Sequence, residues 1–183
     1  MQDDALSAIE KLFSDYTENY ALLIDKGEIS FANDYKNQFA KIVLLACASY
    51  FESKLTKILL DTLNTQTCPL TYSFISKKAL TRQYHTLFRW DDKNANSFFG
   101  LFGLFGDDFK IFMKQQVKDN EQFKIAIEDF LELGRLRNKL VHDNYVTFLL
   151  NLTVEEIQQK FSSAQSFINQ FKHLACEFKI QIK

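Results

Sequence analysis

Proline, glycine and cysteine are all scarce in this sequence, which has one Pro, five Gly and three Cys among its 183 residues. So few turn-forming residues argue against an all-β protein with many tight turns, and they exclude collagen-like and linker-dominated chains. The cysteines are widely spaced at Cys47, Cys68 and Cys176 and form no CxxC pair. We therefore expect neither a disulfide framework nor a thiolate zinc site.

Long apolar runs are missing as well. No stretch approaches the roughly 18 consecutive apolar residues that would span a bilayer. The first four residues, Met1 to Asp4, are acidic at the point where a signal peptide would be basic. We therefore expect a cytoplasmic protein with no membrane partner.

Neither sign of charge dominates, because 22 Lys and Arg stand against 23 Asp and Glu, a formal net charge of −1. A protein that coats nucleic acid through charge alone is therefore not expected, although a local basic site is compatible with this balance. The three histidines form no HxH or HxxxH pair. No metal site is predicted, and no cofactor is expected.

Phenylalanine is abundant, with 19 residues, and predicts a core of bulky side chains. Apolar residues recur at helical steps of three and four, and in the second helix this pattern includes Phe39, Ile42 and Val43. Gly27 is placed to end the first helix in a left-handed conformation. Thr153 and Glu156 form a capping box that opens the last helix. The predicted fold class is all-α, a single-domain helical bundle over residues 1–183 with a short-helix insertion. The predicted helices cover residues 4–25, 33–63, 72–89, 107–117 and 120–142, followed by one that begins after Thr153.

The segment Gly134–Asn144 carries the densest set of chemically useful side chains. On a helix, four of them occupy positions i, i+3, i+4 and i+7 and share one face: Arg135, Asn138, Lys139 and His142. Such a cluster could bind phosphate and move a proton, because an unperturbed histidine has a pKa of about 6.5. Taken alone, these residues favour a plainer interpretation, a solvated helix face with His142 near the helix C-terminus.

The run Arg137–His142 resembles the R-x4-6-H motif of HEPN-domain proteins, with Asn138 as the polar residue after the arginine and four residues before His142. The run Tyr50–Leu55 resembles the HEPN helix that carries a polar, often acidic, residue, here Glu52. The Phe–Gly stretch near Gly100–Gly106 is similar to the RiboL-PSP branch of the superfamily. The resemblance covers roughly residues 35–180 and is specific mainly around the Arg–His motif.

This resemblance implies a metal-independent endoribonuclease that acts as a homodimer, often as a toxin or defence effector. His142 would be the general base or acid, and Arg137 would bind the phosphate as negative charge builds up. Asn138 would orient His142 or donate to a phosphate oxygen. Arg135, Lys139 and Glu52 would have supporting or RNA-binding roles.

The spacing of the motif poses a geometric problem. Arg137 and His142 are five residues apart, so on a regular helix they point about 140° apart. Either His142 lies beyond the last regular turn, or the site combines groups from two protomers. Arg135 shares the His142 face and is the second choice for the phosphate-binding arginine.

Two further interpretations stay open. A non-catalytic HEPN-like module that binds a protein partner, such as an antitoxin or an immunity protein that neutralises a toxin, is favoured by the acidic residues around the motif. A basic segment with interleaved aromatics could face RNA, or could be a solvated helix face with the aromatics turned to the core. Its basic residues are Lys77, Lys78, Arg82, Arg89 and Lys93, and its aromatics are Tyr84, His85 and Trp90.

Overall fold

The computed structural model describes residues 4–63, 69–80, 84–90 and 95–181. Across these residues the chain is helical, with no strand, so the predicted all-α class is confirmed. In the described part of the chain no helix is long and apolar enough to cross a membrane. The α-helices are α1 (Asp4–Asp25), α2 (Ile29–Thr62), α3 (Pro69–Ile75), α4 (Phe98–Gly103), α5 (Asp107–Asp119), α6 (Glu121–His142) and α7 (Val154–Gln181).

The turn between α1 and α2 depends on Gly27, which has a φ of +74°. The Gly27 N–H donates to the Ile24 carbonyl at 3.0 Å, and the Glu28 N–H donates to the Leu23 carbonyl at 3.0 Å. These two bonds form a Schellman motif, which a side chain at the left-handed position would strain. The predicted end of the first helix is confirmed.

The start of α7 is fixed by the predicted capping box. The Thr153 hydroxyl accepts from the Glu156 N–H at 3.2 Å, and the Glu156 carboxylate accepts from the Thr153 N–H at 2.8 Å. The start of α6 is capped in a similar way, because the Asn120 side-chain oxygen accepts from the Phe123 N–H at 3.0 Å. Both caps satisfy backbone donors that a helix leaves unpaired.

The predicted third helix over residues 72–89 is confirmed as an α-helix only as far as Ile75, and its later part is wrong. The α-helix ends at Ile75, a π-helical turn follows over Ser76–Leu80, and Tyr84–Thr86 is a short 3₁₀ turn. The reason lies in tertiary bonding, because the Ser97 hydroxyl accepts from the Arg89 N–H at 2.8 Å and donates to the Arg89 carbonyl at 3.1 Å. The backbone of Arg89 is therefore satisfied without a helical turn.

The chain divides into two compact units, Met1–Tyr50 with Leu133–Ser162, and Phe51–Glu132 with Ser163–Lys183. Helices α2, α6 and α7 each contribute residues to both units. The single domain predicted over residues 1–183 stays a prediction. In the first unit, Phe161 packs against Phe13 and Tyr50, with ring centroids 6.1 and 5.5 Å apart.

The second unit contains a core of phenylalanine rings centred on Phe98. Its ring lies 4.7 Å from Phe88, 5.4 Å from Phe130 and 4.8 Å from Phe167 between centroids. All four side chains are buried. The Phe–Gly stretch thus contributes Phe98 and Phe102 to this core through the short helix α4, and the predicted bulky core is confirmed.

Candidate active site

The last two turns of α6 carry the Arg–His motif in the first unit. The helix includes His142, and the Asp143 N–H still donates to the Lys139 carbonyl at 2.8 Å. His142 therefore lies within the regular helix, and the alternative that placed it beyond the last turn is wrong. The helix directs Arg137 and His142 about 140° apart around its axis.

Arg137 nevertheless reaches toward the His142 face. Its guanidinium Nη1 donates to the Asn138 side-chain oxygen at 3.0 Å. Both side chains are half-buried, and Asn138 precedes His142 by four residues, which is about one helical turn. The contact turns the arginine from its own direction on the helix toward the residue that neighbours His142.

Arg135 and Lys139 lie on the same face as His142. Seven residues separate Arg135 from His142, which corresponds to about 20° of rotation around the helix axis. Arg135 is half-buried, whereas Lys139 and His142 are exposed. The face thus carries two cations, Arg135 and Lys139, and opens to solvent at its histidine end.

Glu52 lies on α2 in the second unit and is half-buried. Its supporting role in the site stays a prediction. No group of three or more His, Cys, Asp or Glu that could hold a metal ion occurs among the residues that the structure describes.

The chain leaves α6 through a compact turn over residues 143–148, here called the exit turn. The Asn144 side-chain oxygen accepts from the Val146 N–H at 3.0 Å. The Asn144 carbonyl accepts from the Thr147 and Phe148 N–H groups at 3.1 and 2.9 Å. Asn144 therefore closes the turn that directly follows His142.

Lys41 on α2 contacts this exit turn. Its ammonium donates to the Tyr145 carbonyl at 2.9 Å and lies 5.1 Å from the centroid of the Tyr145 ring. Its side chain is only 4% exposed, whereas the neighbouring Ile42, which the apolar pattern placed in the core, is 45% exposed. Sequence analysis missed Lys41, although a lysine between Ala40 and Ile42 in an apolar helix was a visible signal.

Exposed apolar residues lie close in sequence to the motif. Val141, the residue before His142, is 54% exposed. Val146 and Leu149, which follow in the exit turn and beyond it, are 76% and 85% exposed. The chain therefore presents several uncovered apolar residues just before and after His142.

The basic segment forms a small aromatic cluster in its described part. The ring centroid of Phe88 lies 5.7 Å from that of Tyr84 and 4.9 Å from that of Trp90. Phe88 and Tyr84 are buried. The Trp90 indole N–H donates to the His85 carbonyl at 2.8 Å. The interpretation in which the aromatics turn inward therefore fits Tyr84, whereas His85 is exposed and Trp90 is half-buried. Arg82, Asp91, Asp92 and Lys93 lie outside the described residues.

Together, the helices and the cationic end of α6 define an all-α domain with one polar, histidine-bearing helix end. The family model described as RiboL-PSP-HEPN matches residues 4–177. The chain belongs to the RiboL-PSP-HEPN family, so the resemblance drawn from the Arg–His motif is confirmed. No curated protein and no solved structure matches the chain significantly.

Proposed function

We propose that this protein is a metal-independent endoribonuclease of HEPN type, which acts in the cytoplasm as a homodimeric toxin or defence effector. HEPN domains are often ribonucleases or nucleotide-related, and they often dimerise and bind RNA. The observation that carries the proposal is the bond from the Arg137 guanidinium to Asn138, one helical turn before the exposed His142. It brings an anion-binding group toward a group able to transfer a proton.

In this mechanism His142 removes the proton from a ribose 2′-hydroxyl. The freed oxygen attacks the adjacent phosphorus, the bond from phosphorus to the 5′-oxygen breaks, and the protonated His142 returns its proton to that oxygen. The products are a 2′,3′-cyclic phosphate and a 5′-hydroxyl. The Arg137 guanidinium stabilises the charge that develops on the phosphate oxygens, and Asn138 holds it in place.

Two protomers supply the groups for each phosphate. Because α6 is regular to His142, one helix directs its arginine and its histidine apart. A two-fold axis that brings two α6 ends together would place the arginine of one protomer beside the histidine of its partner.

The test is cleavage of total cellular RNA in the presence of EDTA, with analysis of the product ends. Wild-type protein should leave 2′,3′-cyclic or 3′-phosphate ends, and His142→Ala should lower the rate about a hundredfold or more. His173→Ala is the matched control, because His173 is an exposed histidine on α7 with Glu177 at 4.0 Å. Activity that disappears with EDTA and returns with magnesium would overturn the mechanism.

A second candidate function, a non-catalytic module that binds a protein, is supported by the exposed apolar side chains of Val141, Val146 and Leu149. An antitoxin or immunity protein would bind its partner through such a surface. Expression of the chain alone separates the candidates. Growth arrest with fragmented RNA supports the nuclease, whereas normal growth with intact RNA supports the binding module.

A further inference from the structure

Lys41 is a buried cation beside the end of the motif helix. With only 4% of its side chain exposed, its ammonium has lost most of its water. Such a loss is unfavourable unless protein groups replace the water. The groups around Lys41 are therefore under strong geometric constraint.

Among the residues that the structure describes, the replacement groups belong to Tyr145. The Tyr145 carbonyl accepts from the Lys41 ammonium at 2.9 Å, and the Tyr145 ring centroid lies 5.1 Å from the same nitrogen. A charged hydrogen bond and a cation–π contact thus fix both the backbone and the side chain of one residue in the exit turn.

This anchor lies where α6 is expected to be weakest. The last residues of a helix lack partners for their carbonyls, and helix ends open more easily than helix centres. His142 is the last residue of α6, and the exit turn that follows it is closed by Asn144. Without an anchor beyond His142, the last turn of α6 would be free to unwind. The His142 imidazole would then lose its fixed position.

We propose that Lys41 is a positioning residue, which holds the exit turn through Tyr145 and so keeps the His142 imidazole in its working direction. The inference rests on the proposed ribonuclease function for its effect on catalysis. Its structural part, the clamping of residues 143–148 by Lys41, stands apart from that function. The experiment therefore has one kinetic and one structural measurement.

The kinetic measurement compares Lys41→Met with wild type on a fluorophore–quencher RNA oligonucleotide. The kcat should fall about tenfold or more with KM within about twofold, because the proton-transferring group is misdirected while the phosphate-binding side chains remain. The control is Phe13→Leu, a change in the core of the same unit, where Phe13 packs against Phe161. It serves to match any loss of melting temperature in Lys41→Met. An equal loss of kcat in both variants would assign Lys41 to general stability and overturn the proposal.

Asn144→Ala provides a second variant that avoids a buried change. It removes the acceptor of the Val146 N–H, so it should lower kcat in the same way, by about threefold or more, with KM unchanged. Thr153→Ala is its control, because it removes an equivalent side-chain cap at the start of α7. An unchanged kcat in Asn144→Ala would contradict a role for the exit turn.

The structural measurement is amide hydrogen exchange. Lys41→Met should accelerate exchange at Asp143, Val146 and Phe148 about tenfold, and leave the Ile157 amide, which donates to Thr153, unchanged. If wild type cleaves no RNA but this exchange pattern holds, the proposed function fails and the clamp stands. If RNA is cleaved but exchange is unaltered, the clamp is refuted.

Discussion

The guanidinium of Arg137 donates to the side-chain oxygen of Asn138 at 3.0 Å, although neighbouring residues on a helix point about 100° apart. A long side chain is required to bridge that angle. The bond holds the Arg137 guanidinium near the His142 face.

This relationship predicts different roles for the two arginines. Arg137→Ala should lower kcat about a hundredfold, because it removes a group that stabilises the transition state. Arg135→Ala should instead raise KM severalfold with little change in kcat, since Arg135 would only hold the RNA. Steady-state kinetics on one RNA oligonucleotide measure both. If Arg135→Ala gives the larger loss of kcat, the assignment of the two arginines is reversed.

The loss of the Asn138 acceptor should resemble a milder loss of Arg137. Asn138→Leu keeps the size of the side chain but removes the oxygen that accepts from the Arg137 guanidinium, so kcat should fall about tenfold. Lys118→Ala on α5, a surface change in the other unit, serves as the control. Equal rates for Asn138→Leu and wild type would remove Asn138 from the site.

A site shared between protomers predicts complementation. Arg137→Ala and His142→Ala should each be about a hundredfold less active alone, but a mixed dimer would contain one complete site and one doubly defective site. Refolding an equal mixture should recover roughly a quarter of wild-type activity, since half of the dimers are mixed and each has one site. Light scattering checks that dimers form. No recovery in a mixture proved to exchange subunits would show that each site belongs to one protomer.

Acid stability should depend on Glu155 at the start of α7. Burial favours its protonation, but its own backbone N–H, the Thr153 hydroxyl and the Lys36 ammonium together lower its pKa. A carboxylate with a lowered pKa stabilises the fold above its unfolded pKa, and that stability is lost as the pH falls through the folded value. Glu155→Gln should flatten the acid limb of a plot of melting temperature against pH. Glu10→Gln, a change at an exposed carboxylate on α1, should leave it unaltered.

The Tyr16 hydroxyl should affect the stability of the fold at alkaline pH. Burial and the neighbouring Glu155 carboxylate raise its pKa above the ordinary value. A group with a raised folded pKa contributes stability below its unfolded pKa and loses it as the pH rises above that value, about 10 for tyrosine. In Tyr16→Phe the melting temperature should therefore fall less steeply as the pH rises, as measured by thermal melts from pH 8 upward. A steep alkaline limb in this variant would contradict the assignment.

Local signals in the sequence predicted the ends of several elements. Gly27 and the Thr153–Glu156 pair act through bonds within a few residues, so their effect can be read without knowledge of the fold. The segment 72–89 failed for the opposite reason, because Ser97 bonds the backbone of Arg89 from eight residues away. The residues of the site were also visible as a motif.

The environment of the site was harder to predict. An apolar stripe fixes a helix face only to within about one residue, and the structure buries Lys41 where the pattern placed Ile42. The partner of Lys41 is Tyr145, 104 residues away in the sequence. Long-range pairs of this kind arise from tertiary packing and leave no local periodic signal.

The position of the motif at a carboxyl-terminal helix end has an electrostatic consequence. A helix N-terminus attracts phosphate with its own dipole, whereas the C-terminal end of α6 repels it. Side-chain cations must then provide the attraction, and each phosphate they contact releases bound counterions. With Arg135, Arg137 and Lys139 engaged, the logarithm of RNA affinity should fall against the logarithm of salt concentration with a slope of about −2. Removal of the Lys139 charge should make that slope shallower by about 0.7, and RNA binding by the proposed nuclease should be strongest at low ionic strength.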